Sequence, residues 1–81
     1  METCVVVHSF GTYTGRDRRG KYVQSPTGVF TVERKTITCG LTLVTIIQGD
    51  FLCVLDGEHW NRLVKSGYIV EHAGDELCHA G

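Results

Sequence analysis

Apolar and polar positions alternate with a period of two along most of the chain, the mark of strands with one buried face. Cys4 to His8 is a short, very apolar stretch and reads as a first strand. Ser9 to Lys21 (SFGTYTGRDRRGK) is polar and holds three glycines. It reads as a long connection, or as two strand arms joined at a mobile tip. Tyr22-Val23-Gln24 reads as a short strand. Ser25-Pro26-Thr27-Gly28 reads as a turn, because proline presets its backbone angle.

Val29 to Glu33 alternates again, with Phe30 and Val32 on one face, and Arg34-Lys35 is expected to turn. Thr36 to Gly49 carries no charged side chain. Its odd positions, Ile37, Cys39, Leu41, Leu43 and Ile47, predict an apolar face along one long strand. The even positions become apolar only at Val44 and Ile46, and Gly40 marks a bulge or bend. Gly49-Asp50 reads as a two-residue hairpin turn. That turn sets Gln48 opposite Phe51, Ile47 opposite Leu52, Ile46 opposite Cys53, Thr45 opposite Val54 and Val44 opposite Leu55. Cross-strand partners share a side, so Val44, Ile46, Cys53 and Leu55 are predicted to cluster, with Ile47 and Leu52 on the other face. A hairpin apolar on both faces belongs at the centre of a closed barrel or carries a contact surface.

Asp56 then reads as a helix N-cap. Trp60, Leu63 and Val64 form one stripe at i, i+3 and i+4, Lys65 suits the C-terminal end of the dipole, and Gly67 is a natural stop. Tyr68 to His72 is the last predicted strand. Residues 1–72 are expected to form one compact β-rich domain, and Ala73 to Gly81 a polar, mobile tail.

Composition sharpens the fold class. Twenty-three residues are β-branched and only two are alanine, which favours strands over helices. The expected fold is mainly β (α+β): a small curved antiparallel sheet or an SH3-like barrel, with one short helix before the last strand. A chain of 81 residues has room for one core. No apolar run approaches the roughly 20 residues of a membrane-spanning helix. The first residues, Met1-Glu2-Thr3-Cys4-Val5, have no basic region, so no signal peptide is expected. A cytoplasmic protein with reduced thiols follows as the expectation for its four cysteines.

The overall charge of −1 hides an asymmetry. Residues 16–35 carry a net +4 and residues 50–81 a net −4. Tyr13, Arg16, Arg18, Arg19, Lys21 and Tyr22 place rings beside cations, a pattern suited to single-stranded nucleic acid. Metal and catalytic chemistry find less support. There is no Cys-x-x-Cys pair, and Cys4 and His8 would stand about 13 Å apart in an extended strand. Gly11, Gly15 and Gly20 do not form a phosphate-binding loop, and no nucleophile turn is present. Trp60 is expected to anchor its helix in the core with its indole N–H on one acceptor.

Two local resemblances bear on function. Ser25-Pro26-Thr27-Gly28-Val29-Phe30 resembles the Thr-Pro-x-Gly-x-Phe segment of L,D-transpeptidases, but that family's Ser-x-Gly-Cys-x-Arg segment is absent, and the likeness carries no activity. Leu55 to Val70 (LDGEHWNRLVKSGYIV) is similar to the strand–helix–strand endings of some small phage structural and accessory proteins. That likeness implies a structural or host-interaction role as one alternative. The leading expectation is a non-catalytic protein-binding or adaptor module, without cofactor or metal, that docks to a larger protein or to itself. Ile47, Phe51 and Leu52 with Arg16, Arg18 and Arg19 are its expected contact residues. Single-stranded nucleic-acid binding through residues 16–21 is the second alternative.

Overall fold

The computed structural model describes residues 2–16 and 20–72. Strands β1 (Glu2–Val6), β2 (Gly11–Tyr13), β3 (Tyr22–Gln24), β4 (Gly28–Thr36), β5 (Thr42–Gln48) and β6 (Phe51–Asp56) precede helix α1 (Gly57–Lys65) and strand β7 (Ile69–His72). The main sheet has five strands in the order β6-β5-β4-β1-β7, and every neighbouring pair is antiparallel. It is an open sheet, with β6 and β7 at its ends. β2 and β3 pair separately as a two-stranded arm. The mainly β class and the single helix before the last strand are those the alternation and composition predict. The expected mobile tail, residues 73–81, and the tip of the arm, residues 17–19, lie outside the described residues.

Period-two alternation builds the core. Cys4, Val6, Phe30, Val32, Val44, Ile46, Cys53, Leu55 and Ile69 all point to one face and are buried. Trp60 and Leu63 of α1 close over that face, and Phe10, just before β2, joins the same cluster. Ser25 ties the arm to its root: its hydroxyl accepts the Phe10 N–H at 3.0 Å, while its own N–H donates to the Phe10 carbonyl at 2.7 Å.

The hairpin at Gly49-Asp50 has the predicted register, from Gln48 opposite Phe51 to Val44 opposite Leu55. Gly49 takes φ +56°, a left-handed value that glycine adopts without steric cost. Asp56 caps α1, its carboxylate accepting the His59 N–H at 2.7 Å.

Two expectations need correction. Arg34-Lys35 is not a turn; both residues lie inside β4, which runs to Thr36. Thr36 to Gly49 is not one long strand, because a 3-10 turn at Thr38–Gly40 separates β4 from β5. There Cys39 and Gly40 both have φ +76°, and the Ile37 N–H donates to the Leu41 carbonyl at 2.8 Å. The predicted cluster of Val44, Ile46, Cys53 and Leu55 is in place: the even positions of β5 face the core, Val44 and Ile46 fully buried, while Leu43, Thr45 and Ile47 are half-buried. The reversal at residues 38–40 makes Arg34 the partner of Val44, and the core already fixed on β4 therefore selects Val44 and Ile46.

Candidate functional site

The outward face of the sheet is built from the residues that alternate with the core. The strand registers lay them out in rows. Val70, Val5 and Val29 form one row across β7, β1 and β4. His72, Thr3, Thr31, Ile47 and Leu52 form the next across β7, β1, β4, β5 and β6. The rows hold no Asp, Glu, Lys or Arg; these begin at Glu33, opposite Thr45. At the other end Val7 and Tyr68 follow, joined by the Val7 N–H to the Tyr68 carbonyl at 2.8 Å. Val29 is 64% exposed, Val7 46% and Val70 44%, so this end of the face is apolar and wet. Isolated exposed valines are ordinary, but a contiguous apolar patch on one sheet face marks an interaction surface.

The expected contact residues divide between the two faces. Ile47 and Leu52 are cross-strand partners on the outward face. Phe51 pairs with Gln48 on the core side, where its ring stands edge-on to Phe30 at 6.0 Å and 84°. Phe51 is therefore a partly buried margin of the core. Arg16 is exposed on the arm, one residue beyond Gly15, whose N–H donates to the Leu52 carbonyl; Arg18 and Arg19 lie outside the described residues. Val5, Val7, Val29 and Val70 were absent from the expected set. Only strand pairing brings them together, and no spacing in the sequence signals it.

The arm forms a second candidate site. Tyr13 and Tyr22 are cross-strand partners, with ring centroids 5.0 Å apart at 68°. Tyr22 leans over Gly11, where any side chain would collide with its ring and hydroxyl. Thr12, on the opposite side of the strand, is buried. Beyond Thr14 the arm reaches the edge of β6, where the Gly15 N–H donates to the Leu52 carbonyl at 2.8 Å and Gly15 bridges Cys53. Between arm, β6 and helix lies a cleft of about 360 Å³ lined by Gly11, Thr12, Tyr13, Tyr22, Val54, Leu55 and His59. The tyrosines were expected to act together; Val54, Leu55 and His59 enter only through the fold.

A third feature spans the end of the core. Arg34 donates from Nε to both carboxylate oxygens of Glu2, at 3.0 and 2.9 Å, and from a terminal nitrogen to Glu71 at 2.8 Å. Its guanidinium carbon lies 5.3 Å from the centre of the Trp60 ring. The Trp60 indole N–H donates to the same Glu71 oxygen at 2.9 Å, which supplies the expected acceptor. Burial opposes the Arg34 charge, but the hydrogen bonds to Glu71 and Glu2 outweigh it, so the net shift favours the protonated form. A cleft of about 540 Å³ opens beside this group, between the Gly40-Leu41-Thr42 turn and the start of α1. Arg34 is held by two carboxylates, and Asp56 and Glu58 are its other charged lining residues. The cleft therefore offers no unspent cation for an anionic ligand. Among the described residues no group of three His, Cys, Asp or Glu side chains is placed to hold a metal ion. Among the same residues no helix is long and apolar enough to cross a membrane.

No protein-family model, no curated protein and no solved structure matches this chain.

Proposed function

We propose that this protein is a non-catalytic docking module that binds an apolar surface of another protein, or a second copy of itself, through the outward face of its sheet. The observation that carries this reading is the pair of rows without Asp, Glu, Lys or Arg, Val70–Val5–Val29 and His72–Thr3–Thr31–Ile47–Leu52, with Val7, Val29 and Val70 left wet. Burying such side chains is worth roughly 25 cal/mol per Å² of apolar area, and the neighbouring threonines cost little to desolvate when a partner offers acceptors. A flat sheet face also brings its side chains pre-ordered, which limits the entropy lost on docking.

The test uses the exposed valines, because changing them does not disturb the core. Val29→Asp and Val70→Asp are expected to unfold at about the wild-type denaturant midpoint, since exposed positions tolerate substitution. Each is expected to lose self-association in sedimentation, or to lose the proteins that the wild-type domain captures from a native lysate. Variants that keep every wild-type partner and the wild-type mass would remove the proposal.

A further inference from the structure

The arm cleft carries an inference independent of the sheet face. We propose that it binds single-stranded nucleic acid, with one base seated against Tyr22 and the neighbouring phosphates held by Lys21 and Arg16.

Four observations converge. Tyr22 is 62% exposed, so most of its ring is open to a ligand. Tyr13 holds it edge-on at 5.0 Å, and Gly11 gives it room to lie against the strand, so its position is fixed before any ligand arrives. The cleft beside it is about 360 Å³ and combines the apolar walls of Val54 and Leu55 with the polar groups of Thr12 and His59. That volume stands near the lower end of small-ligand sites, roughly 300–1,000 Å³, which suits one base and its sugar. Lys21 precedes Tyr22 in the chain, and its backbone carbonyl accepts the Thr14 N–H at 3.1 Å, which fixes its place at the root of the arm's tip. Arg16 follows the Gly15 latch on the other strand of the arm. Both cations are exposed, and among the described residues neither has a carboxylate partner.

Arg34 makes the contrast. It is the cation that lines the other cleft, and its charge is spent on Glu2 and Glu71. Arg16 and Lys21 are unspent among the described residues and stand on the arm that carries the open aromatic rings, the pairing that single-stranded nucleic acid requires: stacking for bases, charge for phosphates. A peptide without acidic or phosphorylated side chains would use the rings but leave the cations idle.

Fluorescence anisotropy with labelled oligothymidylate and oligouridylate of about 12 nucleotides, a length within the range one small β domain covers, tests the proposal at two salt concentrations. Wild-type protein is expected to bind at low salt and to release as salt rises. Tyr22→Ala is expected to weaken binding about tenfold, the loss of one stacked base, while Tyr22→Phe keeps the ring and most of the affinity. Gly11→Ala, which pushes the ring aside without removing it, is expected to behave as Tyr22→Ala. Lys21→Ala and Arg16→Ala are each expected to flatten the salt dependence by about one counterion. Circular dichroism of each variant checks that the fold is kept. Absence of binding at low salt overturns the proposal. So does a folded Tyr22→Ala with wild-type affinity, or equal affinity for a duplex of the same length, because neither leaves a role for stacking.

Discussion

Cys4 has no solvent exposure, and burial pushes its thiol from an ordinary 9.0 up to about 11, with Glu71, Cys53 and Glu2 acting in the same direction. The native state therefore keeps the thiol neutral at a pH where the unfolded chain ionises it. Its contribution to stability is complete below pH 9 and is lost as the pH rises toward 11. Urea titrations across that window are expected to show wild-type stability falling by on the order of 2–3 kcal/mol more than that of Cys4→Ala, which starts lower but lacks this ionisation. Equal slopes for the two proteins would contradict the assignment. Trp60 illustrates a different cause. Its indole is 2% exposed, and Glu71 is the acceptor that makes its burial affordable. Glu71 therefore serves the core through one oxygen that also meets Arg34.

Helix α1 spans nine residues, too few to persist alone in water, so its cap and its docking stripe must hold it together. Asp56→Ala removes the carboxylate that accepts the His59 N–H and is expected to cost about 1 kcal/mol, read as a lower urea midpoint with an unchanged slope. At this scale the sequence is most informative where local chemistry decides. The Gly49-Asp50 turn fixes which residues of β5 and β6 face each other, and Asp56, Trp60 and Leu63 place the helix. It misleads where distant groups decide. Arg34-Lys35 has the polarity of a turn, yet Arg34 stays in β4 because Glu2 and Glu71, 32 and 37 residues away in the chain, hold it there. The true reversal contains Cys39 at φ +76°, and a non-glycine residue in that conformation sends no signal in advance. The candidate sites divide in the same way. Tyr13 and Tyr22 are legible because they flank one loop, whereas the valine rows come from β1, β4 and β7, which only strand pairing unites.

Across the whole molecule the two ends of the sheet are unequal. β6 is latched by the Gly15 N–H on the Leu52 carbonyl, while β7 has no described strand beyond it. Unpaired backbone groups on an edge strand invite pairing with another chain, and each group engaged within the fold removes one such invitation. Among the described residues the two edges of the sheet therefore differ in how many of their backbone groups are already engaged. A strand approaching the β6 rim meets a Leu52 carbonyl already taken by the Gly15 N–H, so the arm that carries Gly15 guards the very edge it leans on.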